Sequence, residues 1–188
     1  IYKKYLMTGF PVKWGQCFVF SMLLTSMFRN LGMVSRSVSG FSIGHDNNKD
    51  GVLTIYLDNK TLKHLPNSET LWNFHAWTNV YIKRKDIEII GISNNQMQIS
   101  WQHADGTPQE RSEGIYRCGP YPIRLLRKHI HKDIIPYDGT PVYYSINYTS
   151  KYILVGEDGV AITTSKKKDS CRLIITTGVN GKKIDITD

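Results

Sequence analysis

The sequence of 188 residues predicts an α+β fold, a helix near the N-terminus packed on an antiparallel sheet, on three observations. Apolar residues at Phe20, Leu23, Leu24, Met27, Phe28 and Leu31 follow the spacing of a helix with one buried face, and Gly32 stands where a C-cap belongs. Runs at 36–41, 52–57, 72–82 and 96–104 are rich in β-branched and aromatic residues and read as strands. Further runs at 142–146, 152–155, 160–164 and 172–177 are separated by turns such as Gly156-Glu157-Asp158-Gly159 and read as an antiparallel sheet. A helix followed by segregated strands is the α+β pattern. With 40% hydrophobic and 11% aromatic residues, the chain suffices for one ordinary core.

Taken in order, the helix carries the first chemical signal. Cys17 falls in its first turn, where unpaired backbone N–H groups and the macrodipole favour an anion and hence a thiolate. The alternative is a small buried core residue. Next, Asp46-Asn47-Asn48-Lys49-Asp50-Gly51 sets oxygen-bearing side chains at alternate positions before a glycine. This is the first half of an EF-hand-like calcium loop without its downstream glutamate, or else a hairpin-type turn. In the strand that follows, Leu53, Ile55 and Leu57 share the buried face. The aromatic strand over 72–82 puts His75 and Trp77 on one face, with Trp14 and Trp77 read as core aromatics. The strand over 96–104 leads to Asp105, which opens a turn. Residues 121–130 read as a short basic helix lying on the surface.

A cysteine nucleophile needs a histidine to take its proton and a third group to orient that histidine. Cys17, His75 and Asp105 supply that set, a nucleophile at the head of a helix with its partners on a following sheet, which is the papain-like arrangement. Asp86 is a rival to Asp105 in the long link between His75 and Asp105, which are 105 − 75 = 30 positions apart. His103 shares a strand with Asp105 and is read as structural, and His45, His64, His129 and His131 carry no motif of their own.

The net charge of +8 is dispersed and no nucleic-acid-binding motif accompanies it, so solvated surface charge is the reading and a nucleic-acid partner is not. Three widely spaced cysteines, Cys17, Cys118 and Cys171, form no disulfide framework and no zinc-type pair. Sequons at Asn59 and Asn147 are too short a motif to imply secretion. No apolar run approaches a membrane span, and no targeting signal separates a cytoplasmic chain from a released one. The chain begins without methionine at Ile1 and is read as a fragment.

Three words now stand in order: Gly15-Gln16-Cys17-Phe18-Val19-Phe20, Trp72-Asn73-Phe74-His75, and Asp105-Gly106-Thr107-Pro108-Gln109-Glu110-Arg111-Ser112-Glu113-Gly114 with Tyr116-Arg117-Cys118-Gly119-Pro120 behind it. Together they resemble the calcium-dependent transglutaminases of animals, from Val12 to the end of the chain. The resemblance implies that residues 1–188 are part of a papain-like transglutaminase core, truncated at both ends. It implies a protein-glutamine gamma-glutamyltransferase that joins protein glutamine to lysine or another primary amine through a Cys17 thioester, with His75 and Asp105 as partners. Trp72 becomes a wall of the amine channel. Ca2+ becomes the cofactor, with Asp46, Asn48 and Asp50 as ligands, Glu69 closing the site, and Asn147 serving a second site. Arg117 beside Cys118 rules out a vicinal disulfide seen in some members. The other readings are a structural pseudoenzyme of the family and a cysteine protease or amidase on the same fold.

Overall fold

The computed structural model describes residues 1–84, 99–108, 111–112, 115–116, 118–127, 139–171, 173–178 and 180–187. In chain order its elements are α1 (Tyr2–Thr8), α2 (Cys17–Asn30), β1 (Val34–His45), β2 (Val52–Asp58), β3 (Thr70–Lys83), β4 (Ile99–Asp105), β5 (Arg111–Ser112), β6 (Ile115–Tyr116), β7 (Cys118–Pro122), α3 (Ile123–Arg127), α4 (Thr140–Ile146), β8 (Asn147–Val155), β9 (Ala161–Ser170), β10 (Leu173–Thr177) and β11 (Lys183–Asp185). The strands form a six-stranded sheet in the order β11-β10-β1-β3-β4-β7, a three-stranded sheet β2-β8-β9 and a two-stranded ribbon β5-β6. The chain folds as two compact units. One is built from Ile1–Ser39, Ala76–Gly139 and Ile175–Ile184, the other from Gly40–His75, Thr140–Ile174 and Asp185–Asp188.

In the first unit, α2 packs on β3 in a way its apolar stripe does not foretell. Its buried residues are Ser21 and Thr25, one turn apart, while Met27 and Leu31 are exposed. Hydroxyls explain this. Ser21 Oγ donates to the carbonyl of Trp77, Thr78 Oγ1 donates to the carbonyl of Ser21, and Thr25 Oγ1 meets Thr78 Oγ1 at 3.1 Å. Small hydrogen-bonding side chains let the helix backbone approach the strand where bulky ones would hold it off. The helix ends at Leu31, followed by Gly32 at φ 76, as its sequence signal predicts. Trp14, expected in the core, is 88% exposed, in the coil ahead of the helix.

Beside α2, β3 and β4 pair antiparallel from Thr78↔Ala104 to Lys83↔Ile99. Strand β4 pairs with β7, and the ladder slips between His103↔Tyr121 and Asp105↔Cys118, a bulge in β7. The basic helix is shorter and deeper than its composition suggests. Tyr121 and Pro122 belong to β7, and α3 buries Leu125 and Leu126 rather than lying on the surface. The rest of that predicted helix, 128–130, lies outside the described residues, as do 96–98 of the β4 prediction.

The second unit corrects two expectations. Residues 142–146, read as a strand because Val, Tyr and Ile favour strands, are helical in α4, which buries Val142 and Tyr143. The small sheet is mixed rather than antiparallel. Strand β2 pairs parallel with β8, from Val52↔Thr149 to Asp58↔Val155, and β8 pairs antiparallel with β9. Leu53 and Ile55 face the core with Ile43, Tyr148 and Ile153. Among the described residues no helix is long and apolar enough to cross a membrane.

Candidate active site

In the first unit the site begins at the head of α2. Gln16 is the extended N-cap residue and its carbonyl accepts the N–H groups of Val19 and Phe20, so Cys17 is the first helical residue. No side chain caps this end. The first N–H groups of any helix lack partners within it, and the half-buried Cys17 is the residue at that end. The chain passes close to the Phe20 ring at Gly15, where a Cβ would come within 2.7 Å of it and the ring would have to move.

Asp105 ends β4, nearly fully buried, and its Oδ1 accepts the Thr107 N–H at 2.9 Å, which fixes the turn after it. A methyl group built on Gly106 would lie 3.8 Å from Phe20 Cβ and from Leu24 Cδ2, an ordinary packing distance. The turn after Asp105 therefore rests on the first turns of α2, at Phe20 and Leu24, within the unit that also holds Cys17. Asp86, the rival acid, lies outside the described residues, as do Gln109, Glu110, Glu113, Gly114 and Arg117 of the third word.

His75 belongs to the second unit, in the first half of β3, and is 4% exposed. Trp72 meets it edge-on, with ring centroids 5.2 Å apart and planes at 65°. On its other side Trp72 stacks against His45 at 4.8 Å and 12°. This three-ring stack assembles two sequence-predicted residues and adds His45. Its position immediately before Asp46 was the one available signal, and the stacking itself is a long-range contact that no local pattern carries.

The acidic loop is also in the second unit. Asp46 Oδ1 accepts from the Lys49 N–H and Oδ2 from the Gly51 N–H, both at 2.7 Å. Glu69 Oε1 accepts from the Asn47 N–H and Oε2 from the Thr54 N–H, both at 2.8 Å. Asp50 Oδ1 accepts from the Val52 N–H, and Asn48 Oδ1 from the Asp50 N–H. Gly51 lies at φ 79, and a Cβ on it would strike the Tyr144 ring at 2.7 Å. Asp46, Asn48 and Asp50 thus share one loop, to which Glu69, immediately before β3, is tied through the Asn47 N–H, and Asp46 and Glu69 are buried. The donors are hard oxygens of the kind calcium takes, and each carboxylate oxygen bonded to one amide retains capacity for a second partner. As drawn, these side chains order the turn. Among the described residues no three His, Cys, Asp or Glu side chains converge as a metal cluster. Asn147, the residue implied for a second site, opens β8 opposite Ser170 and is exposed.

Burial also perturbs groups outside this set, Cys171 and Arg36 among them. The Cys171 thiol, which donates to the Phe41 carbonyl at 3.2 Å, is pushed up in pKa by desolvation. The half-buried Arg36 guanidinium lies 4.2 Å over the Trp101 ring, and burial lowers its pKa.

The family model described as the transglutaminase-like superfamily matches residues 5–106. Protein-glutamine gamma-glutamyltransferase 4 of Rattus norvegicus is 41% identical over 155 residues, 81% of this chain and 22% of the relative. Protein-glutamine gamma-glutamyltransferase K of Homo sapiens is 34% identical over 187 residues, 97% of this chain and 22% of the relative. The crystal structure of red sea bream transglutaminase superposes with a TM-score of 0.76 at 27% identity, covering 98% of this chain and 27% of that one. The chain thus spans roughly a quarter of the length of each of these proteins.

Proposed function

Because the chain belongs to the transglutaminase-like superfamily, we propose that it carries the catalytic part of a protein-glutamine gamma-glutamyltransferase, with Cys17 as nucleophile, His75 as acid and base, and Asp105 as the group that orients His75. The observation that carries this reading is a half-buried cysteine at the first position of α2 with the turn after Asp105 seated on the same end of that helix.

In the first half-reaction the Cys17 sulfur forms a bond to the side-chain carbonyl carbon of a protein glutamine. The tetrahedral oxyanion is met by backbone N–H groups at the head of α2, of which Cys17 offers its own. The C–N bond breaks, His75 protonates the departing ammonia, and an acyl thioester remains. In the second, the nitrogen of a lysine or other primary amine attacks the thioester carbon and gives a proton to His75. The C–S bond breaks, an isopeptide bond forms and Cys17 is regenerated. Asp105 holds the imidazole in one tautomer and stabilises its cation. Trp72, fixed between two histidine rings, is an apolar wall at His75, where exclusion of water favours amine over hydrolysis.

Calcium belongs to the same proposal. Asp46, Asn48 and Asp50 with Glu69 are the residues that would hold it, and Asn147 is the proposed contribution to a second site. Bound calcium supplies positive charge that draws the loop carboxylates together. The proposed partners are proteins that offer glutamine on one side and lysine or small amines on the other.

The test is incorporation of a fluorescent primary amine into a glutamine-containing protein by the full-length gene product. Cys17→Ala should abolish incorporation with an unchanged circular dichroism spectrum, and retained incorporation refutes the mechanism. Release of ammonia or of cleaved peptide with no amine incorporated would assign the chain to amidase or protease chemistry. Calorimetric titration of calcium into Asp46→Ala/Glu69→Ala should lose at least one binding event, and an unchanged isotherm refutes the loop assignment.

A further inference from the structure

We propose that His103 is a positioning residue for Asp105, holding the carboxylate end of β4 in place; the inference rests on the role assigned to Asp105 above.

His103 is a titratable ring, 3% exposed, that the proposed reaction does not use. It sits two positions before Asp105 in β4, so the two side chains leave the strand on the same face, roughly 7 Å apart along it. Its ring packs against Trp77 with centroids 5.4 Å apart and planes at 44°. Asn79 is the residue directly opposite it on β3, and Asn79 is buried with a side-chain carbonyl oxygen that meets no donor among the described residues. This pocket is therefore polar at one wall and aromatic at the other. An apolar core position would be filled more cheaply by leucine, since burying an imidazole carries a desolvation cost that only bonds to its nitrogens offset.

The backbone of His103 is fixed as firmly as its ring. On the β7 side the register slips between His103 and Asp105. At that slip Gly119 adopts φ 92, and a Cβ on it would overlap the His103 carbonyl oxygen at 2.1 Å. His103 is consequently held on three sides: by Trp77, by the strand partner Asn79, and by the close approach of Gly119. Beyond it the strand has only Ala104 before Asp105 turns toward Thr107 and the seat of Gly106 on α2. Loosening the ring of His103 removes the side-chain support of this end of β4 while its pairings Ala104↔Thr78 and Asp105↔Cys118 persist, and the first functional atom to move is the Asp105 carboxylate.

The experiment is a double-mutant cycle in the full-length gene product, following fluorescent amine incorporation into a glutamine peptide. His103→Leu should lower kcat by about 10-fold to 100-fold, the range expected for a misplacement near 1 Å, with KM for the amine unchanged. In an Asp105→Asn background, already slow, the same His103→Leu change should have almost no further effect, because the group it positions has lost its function. A merely structural role would give equal losses in both backgrounds. If His103→Leu melts far below the unsubstituted protein, His103→Phe, which keeps a planar ring against Trp77, replaces it in the same cycle. An undiminished loss in the Asp105→Asn background, or no loss in either, overturns this proposal alone. A fully active Asp105→Asn enzyme overturns the role of Asp105 itself, and this inference with it.

Discussion

Asp46→Ala tests the acidic loop at its anchor. The carboxylate is 4% exposed and each of its oxygens accepts one backbone N–H at 2.7 Å, from Lys49 and from Gly51. A hydrogen bond to a charged group contributes about 1.5 to 3 kcal/mol. Because Lys49 and Gly51 are only partly covered, water replaces some of what is lost, and the lower figure applies: two bonds give about 3 kcal/mol of local stability. At roughly 1.4 kcal/mol per factor of ten, the Lys49 and Gly51 amides should exchange with deuterium about 150-fold faster in the variant. Asp46→Asn keeps one acceptor oxygen and should accelerate exchange by about tenfold. The Thr107 amide, held by Asp105 in the other unit, is the internal control and should not change. The measurement is hydrogen exchange followed by mass spectrometry of peptides covering residues 46–52. Calcium should slow exchange of these amides in the unsubstituted protein and leave Asp46→Ala unaffected. Less than a threefold change at Lys49 and Gly51 in Asp46→Ala would refute the argument that this carboxylate organises the loop.

Three further outcomes follow from named contacts. Gly119→Ala places a Cβ inside the His103 carbonyl at a backbone angle that non-glycine residues rarely adopt, and should cost more than about 2 kcal/mol in urea denaturation; a midpoint within error of the unsubstituted protein would contradict the bulge geometry. Ser21→Ala should cost about 1 to 2 kcal/mol by removing the bond to the Trp77 carbonyl, and Ser21→Val more, because it also forces a larger side chain under α2; thermal melts that rank Val above Ala would show that the helix does not need a close seat. Burial raises the folded pKa of Cys171 above its unfolded value, so its contribution is complete below about pH 8.5 and declines as pH rises through the interval up to the folded pKa. Cys171→Ala should therefore flatten the fall in melting temperature above that pH, and an identical slope in both proteins would count against a buried thiol.

Much of the site was legible because its signals are local. Cys17 was placed at a helix head by the apolar stripe behind it, and the Asp46 to Gly51 turn was readable from oxygen-bearing side chains at alternate positions before a glycine. What escaped the sequence was set by contacts between distant residues. Ser21 and Thr25 were passed over because periodicity weighs apolar residues, whereas α2 docks through hydroxyls. Residues 142–146 favour strands by β-branching and aromaticity, and packing of Val142 and Tyr143 overrides that preference. The parallel pairing of β2 with β8 joins segments almost a hundred positions apart, and no local pattern specifies a partner at that distance. The ring contacts of His45 and His103 escaped for the same reason: each depends on which tryptophan the fold brings against it.

The alternation of the chain between its two units bears on how the protein comes to be folded. Each unit is assembled from three separate stretches, and the last stretch of each comes from the C-terminal region. Within the first, Thr176 Oγ1 donates to the Ser37 carbonyl across 139 positions; within the second, Cys171 Sγ donates to the Phe41 carbonyl across 130. During synthesis neither unit can close until the ribosome has passed these C-terminal residues, so the helix bearing Cys17 waits for most of the chain before its surroundings are complete. Contacts of such long sequence separation make for slow folding and prolonged exposure of apolar segments. A pause introduced by rare codons before residue 170 should accordingly raise the aggregated fraction, and an unchanged fraction would count against this order of assembly.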